Sequence, residues 1–176
     1  ARLEVGEYLP DWHPYEDYRN SYAARRAMGG GVLLSQIHEL DYAYWLFGLP
    51  RKVVALGGHL SSLDLDVEDV VSASFECVVD GRSIPVHVHQ DYVQRPPTRK
   101  CQIIGDKGTI NVDLLHNSYE RFDHNGRRVE SLKFDNFERN QLFPLLELAP
   151  ILMNVFSGLR ARQFISTKTS PRCVIA

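Results

Sequence analysis

The chain has 176 residues, which suits one ordinary domain, and 44% of them are apolar, enough for a sizeable core. Twenty Lys and Arg against 22 Asp and Glu leave a net charge of -2, without the basic excess that neutralising many phosphates requires, so nucleic acid is excluded as a main partner. Three widely spaced cysteines, Cys77, Cys101 and Cys173, form neither a disulfide framework nor a Cys-x-x-Cys metal knuckle, and a reducing, cytoplasmic setting is expected.

In chain order, residues 1 to 9 alternate loosely through Leu3 and Val5 and run into Pro10, a short strand ending in a loop. The start without Met, directly in a strand-like pattern, suggests a chain cut from a longer protein, and it lacks the basic segment and apolar run of a signal peptide. No apolar stretch approaches a membrane span, so no membrane partner is expected. The segment from Asp11 to Arg19 is aromatic and charged without either period and reads as a loop; Asn20 to Met28 reads as a short helix ending at Gly29-Gly30-Gly31. From Val32 to Phe47 apolar residues recur at 33, 37, 40, 44 and 47, which predicts one helix stopped by Gly48 and Pro50.

After Pro50 the pattern becomes strands: 53–60, 70–79, 84–93, 100–104, 109–114, 119–123 and 128–134, joined at turn signals such as Asp80-Gly81 and Gly105-Asp106-Lys107-Gly108. This describes an antiparallel meander. Residues 140–159 return to a helical pattern interrupted by Pro144 and Pro150. Helices are segregated from strands, so the class is α+β, an open and largely antiparallel sheet with helices on one face, formed by residues 1–176 as a single domain. The uncovered sheet face then needs a partner or must be polar.

Three places carry chemistry. Ser35, His38 and Asp41 recur at spacings of three near the predicted helix start, which sets a proton-transfer group beside a carboxylate able to orient it. A histidine bonded inside the core would have the same spacing. Trp12, His13, Tyr18 and Arg19 belong to an aromatic and polar cluster suited to stacking on sugar rings and hydrogen-bonding hydroxyls, although a packed surface loop has a similar composition. His87, His89 and Asp91 alternate along one strand face; no further ligand pattern completes a metal site, so a polar outer face is the expectation and no metal is assigned. The glycine fingerprints of nucleotide sites are absent.

The stretch Glu7-Tyr8-Leu9-Pro10-Asp11-Trp12-His13-Pro14, then Asp17-Tyr18-Arg19, then the run from Gly29-Gly30-Gly31 through Ser35, His38 and Asp41 to Trp45-Leu46-Phe47-Gly48, resembles the C-terminal half of the Gfo/Idh/MocA oxidoreductases. The Gly-Asp-Lys-Gly-Thr turn at 105–109 extends a resemblance covering most of residues 1–165. It implies the glyceraldehyde-3-phosphate dehydrogenase-like C-terminal fold: a substrate-binding and oligomerisation domain whose N-terminal Rossmann partner is absent from this chain. NAD or NADP would belong to that parent enzyme, and no cofactor is expected for this chain alone. The substrate would be carbohydrate-like, a secondary alcohol of a sugar, cyclitol or derivative, and the assembly a homodimer or larger through the sheet.

By the same resemblance His38 and Asp41 are the catalytic candidates, with Trp12, His13, Tyr18, Arg19 and Ser35 binding substrate. Ser35 stands where the family usually has Asp, three rather than four residues before the histidine. The family's catalytic lysine normally lies in a Glu-Lys-Pro motif of the Rossmann half, and this chain has no such tripeptide. The alternative is a non-catalytic, sheet-based dimerisation or sugar-binding module; a weaker one is a metal hydrolase using His38, Asp41, His87 and His89.

Overall fold

The computed structural model describes residues 1–133. The helical pattern at 140–159 and Cys173 lie outside the described residues.

Eight strands form one sheet: β1 (Arg2–Gly6), β2 (Lys52–Gly58), β3 (Val70–Val79), β4 (Arg82–Asp91), β5 (Thr98–Gly105), β6 (Gly108–Asp113), β7 (Ser118–Asp123) and β8 (Arg128–Lys133). Their spatial order is β2-β3-β4-β1-β5-β6-β7-β8. The seven strands after Pro50 are antiparallel to their sequence neighbours except where β1 intervenes. That strand enters between β4 and β5, parallel to β4 and antiparallel to β5, so the expected meander is split at its centre.

Turn chemistry explains the tight hairpins. Asp80 and Gly81 both have positive φ, 49° and 78°, and join Val79 to its partner Arg82, the two-residue turn for which Asp-Gly is suited. Asp106 and Lys107 connect the paired Gly105 and Gly108, and here the positive φ, 140°, falls on Gly108.

The sheet has one covered face and one open face. Leu3 and Val5 of β1, Val86, Val88 and Gln90 of β4, and Cys101 and Ile103 of β5 are buried on the covered side. Over them lie α1 (Val32–Ser35) and α2 (His38–Phe47), preceded by four single 3-10 turns between Leu9 and Met28. Those turns replace the short helix expected over Asn20 to Met28: three successive capping residues, Ser21, Arg25 and Gly29, leave the helical region and stop each turn after three residues.

The single helix expected from Val32 to Phe47 is two helices, broken at Gln36, whose φ and ψ are −113° and 38°. The apolar stripe is also displaced. Gln36, Glu39, Tyr42, Ala43 and Phe47 are buried, whereas Ile37 and Tyr44 of the expected stripe are exposed. The physical reason is polar: Gln36 and Glu39 have buried partners on the sheet, described below, and these pull a different side of the helix inward.

The open face is mainly polar. Ser72 and Ser74 of β3 stand opposite His89 and His87 of β4. Each pair is joined by a hydrogen bond between the serine Oγ and the imidazole Nδ1, 2.7 Å for Ser72 and His89 and 2.9 Å for Ser74 and His87. Val71 and Ala73 point the other way into the core.

Candidate functional site

The glycine triplet places the candidate helix by close packing within the chain. A Cβ on Gly30 would strike the carbonyl oxygens of Tyr22 and Ala23, and one on Gly31, at φ +115°, would strike the Glu68 carboxylate. Glu68 then serves as the acceptor for the start of α1. Its carbonyl receives the Val32 N–H at 3.0 Å and its Oε1 the Leu33 N–H at 3.3 Å. The orphan donors of this helix start are thereby met from inside the molecule.

Ser35 is partly buried, and its hydroxyl, shut off from solvent, lies near that of Tyr92 without a hydrogen-bond partner among the described residues. Burial drives the Tyr92 pKa well above its ordinary value, while the nearby Ser35 hydroxyl acts in the opposite direction. Ser35 is therefore directed into the core, and the helix break that follows removes the simple face relation which its spacing from His38 implied. His38 is the first residue of α2 and is exposed; Asp41, also exposed, lies within the same first turn. Among the described residues no hydrogen bond or ion pair joins the two. The imidazole of His38 is thus open to an incoming molecule.

Around these residues the outward side of the two helices carries exposed apolar groups: Leu34, Ile37, Tyr44 and Trp45. An apolar surface interleaved with a histidine and a carboxylate is unusual on a solvent-facing helix.

The aromatic loop forms a small, shallow cleft, lined by Trp12, His13 and Tyr18 together with Glu16, Ser21 and Tyr22. Trp12 packs edge-on against Tyr92, and the Tyr18 hydroxyl accepts the Asp64 N–H at 3.1 Å. His13 Nδ1 meets the Tyr15 hydroxyl at 3.1 Å. Arg19 does not line the cleft. Its guanidinium is engaged by Asp17, with Nε to Oδ1 at 2.8 Å and the second nitrogen to Oδ2 at 2.7 Å, and hydrogen bonds from Arg19 hold the Asp17 carboxyl below the usual carboxylate range. The structure thus brings three of the loop candidates together, leaves Arg19 paired locally, and joins Trp12 to Ser35 through Tyr92.

The sequence reading missed a group beneath α2. Glu39 is fully buried and binds Arg99 of β5 twice, Nε to Oε1 at 2.7 Å and the second guanidinium nitrogen to Oε2 at 3.0 Å; the Tyr42 hydroxyl donates to the same Oε1 at 3.2 Å. Gln90 of β4, also buried, donates its Nε2 to the carbonyl of Gln36. A helix reading that weighted every polar residue as outward could not find them. The available signal was the spacing of Gln36, Glu39, Ala43 and Phe47, one side of a helix with two polar members.

His89 Nε2 lies 3.2 Å from Asp91 Oδ2 in addition to its serine contact, so the row of His87, His89 and Asp91 is a hydrogen-bonded ladder on the open face. Among the described residues no three His, Cys, Asp or Glu side chains are grouped as metal ligands. Nor, among those residues, is any helix long and apolar enough to cross a membrane.

Residues 3–111 match the GFO/IDH/MocA C-terminal domain. The chain belongs to the GFO/IDH/MocA family. No curated protein matches its sequence. Among solved structures it is similar to the UDP-N-acetylglucosamine 3-dehydrogenase of Acidithiobacillus ferrooxidans, at 18% identity and a TM-score of 0.54, over 89% of this chain and 44% of that one. An oxidoreductase from Agrobacterium radiobacter, solved with NAD+, L-tartaric acid and magnesium, aligns at 18% identity and a TM-score of 0.56 over 89% and 43%. Levoglucosan dehydrogenase, in complex with NADH and levoglucosan, aligns at 18% identity and a TM-score of 0.57 over 76% and 38%. This GFO/IDH/MocA chain therefore spans less than half the length of each, and its open eight-stranded sheet has the fold of their C-terminal portions.

Proposed function

We propose that this chain is the substrate-binding and dimerisation domain of an NAD(P)-dependent oxidoreductase acting on a secondary alcohol of a sugar, cyclitol or sugar derivative. The family match over residues 3–111 carries the reading. Its supports are the exposed apolar side of α1 and α2, a surface suited to an N-terminal Rossmann domain, and the dehydrogenases among structures of the same fold.

The described residues do not fit a nicotinamide dinucleotide by themselves. The amides after the glycine triplet are met by Glu68, whose carboxylate would repel a pyrophosphate, and the helix they open has only four residues. The cofactor is assigned to the Rossmann domain. What remains for this chain is to bind the alcohol and handle its proton. The exposed imidazole of His38 is placed to accept a hydrogen bond from the reacting hydroxyl and to take up or relay its proton, with Asp41 on the same turn of the helix. The cleft at Trp12, His13 and Tyr18 offers aromatic surface and polar groups to the rest of a carbohydrate. Dimerisation is assigned to the open sheet face, where, among the described residues, no helix lies over the Ser72–His89 and Ser74–His87 pairs.

Ser35 favours a second reading, a non-catalytic dimerisation or sugar-binding module, since it cannot hold a charge at neutral pH and its hydroxyl is buried near Tyr92. Sequencing the source gene upstream of Ala1 and assaying the encoded full-length protein with NAD+ and NADP+ over a panel of sugars, cyclitols and nucleotide sugars separates the two. Turnover that requires a dinucleotide supports the enzyme. No Rossmann fingerprint upstream, with sugar binding but no reduction of either cofactor, supports the module.

A further inference from the structure

We propose that Gln90 and Arg99 are positioning residues that together set where His38 stands, an inference that rests on the assignment of His38 to the substrate's hydroxyl. The two sit in one row across the centre of the sheet: Val5 of β1 pairs with Gln90 on β4 and with Arg99 on β5. From either side of that central strand they reach up to the same short piece of chain. Gln90 holds the carbonyl of Gln36, two residues before His38, and Arg99 holds the carboxylate of Glu39, one residue after it.

Each attachment answers a local need. At the break, the Leu40 and Asp41 N–H groups both turn to the Ile37 carbonyl, at 3.0 Å each, so the Gln36 carbonyl is left without its helical donor and takes the Gln90 amide instead. Glu39 is 0% exposed, and a buried carboxylate persists as an anion only with partners of this quality. An apolar pair of similar volume would keep α2 against the sheet at least as well. What hydrogen bonds add is direction, because their strength falls steeply with angle. Two directed contacts three residues apart, one from each side of β1, stop α2 from rolling about its axis and sliding along it. His38, between them and facing outward, has no tether of its own among the described residues.

The test uses the full-length protein with histidine Cε1 labelled for NMR, the His38 signal being assigned by its loss in His38→Ala. Gln90→Met removes one contact. Arg99→Met alone would strand a buried anion and unfold part of the molecule, so the second variant is the double change Glu39→Met with Arg99→Met, which removes both charges. Both variants are expected to melt cooperatively, to shift the His38 signal, and to lower kcat roughly 10- to 100-fold with KM held within about twofold. Arg99→Lys, which keeps a charge but not the fork, should recover part of kcat. An unmoved His38 signal in both variants overturns the proposal, as does unchanged kcat in both while His38→Ala abolishes turnover. A His38 signal that moves in both, while His38→Ala turns over at the wild-type rate, upholds the positioning and removes instead the catalytic assignment of His38.

Discussion

Trp12 stands edge-on to the ring of Tyr92, with centroids 5.4 Å apart and planes at 87°. Tyr92 is fully buried at the end of β4 and touches Ser35, so Trp12 fastens the aromatic loop to the core as well as lining the cleft. Edge-to-face pairs contribute about 0.5–1.5 kcal/mol beyond the area that they bury.

Trp12→Ala should therefore destabilise the folded chain by about 2 kcal/mol, less than a fully buried tryptophan would, because this one keeps part of its surface in water. Trp12→Phe should recover most of that. Urea denaturation followed by circular dichroism measures both. An alanine variant with wild-type stability would make Trp12 a free wall of the cleft.

His38→Ala is expected to lower kcat/KM of the full-length protein roughly 100-fold or more while leaving the melting temperature unchanged, since its side chain is exposed. Asp41→Asn should cost less, as no bond to His38 has to be broken. Ser35→Asp would place a carboxylate beside the buried Tyr92 hydroxyl and should lower the melting temperature. Steady-state kinetics and thermal melts, taken together, decide these three.

Burial pushes the Cys101 thiol up to about 12, and it raises Cys77 as well. Thiolate, the reactive species, is thus scarce at both positions at pH 8. Alkylation of the native protein followed by peptide mass mapping should leave Cys101 and Cys77 unmodified, and brief denaturation should expose both. Rapid labelling of native Cys101 would mean that β5 opens readily.

The open face supplies a prediction about assembly. Light scattering well above micromolar concentration should give a dimer or larger species, and Ser72→Glu with Ser74→Glu, which sets carboxylates opposite His89 and His87, should shift it toward monomer. A wild-type protein that is strictly monomeric removes the assignment of dimerisation to this face.

Much of the sheet is legible in the sequence because its evidence is local. Val71 to Cys77 alternates apolar with polar, and Asp80-Gly81 names its own turn, so β3 and the hairpin to β4 follow from neighbouring residues alone. The position of β1 does not. Five residues with two buried side chains suit many sheet positions, and the choice of β4 and β5 is made by strands far along the chain. The helix break is hidden for the same reason: Gln36 gives way because Gln90 offers a donor to its carbonyl, and nothing near Gln36 announces that. For the candidate site, the sequence reading named the aromatic loop and His38 as candidates, while the buried Glu39 and its partner Arg99 were invisible to a rule that turns charged residues toward water.

The central placement of β1 also governs the order in which this domain is made. Its partners lie roughly 85 to 100 residues further along, so β1 acquires both neighbours only after β5 has emerged from the ribosome. Until β1 docks, β4 and β5 each present an unpaired edge, and the hairpin of β3 with β4 and that of β5 with β6 fold as separate halves. Closing them demands one long-range docking event by a five-residue strand, the step at which loop-closure entropy is greatest. Folding rate should accordingly respond to changes in Leu3 and Val5 far more than to changes in β7 or β8, and a nascent chain stalled before Thr98 would leave the β5-facing edge of β1 unpaired.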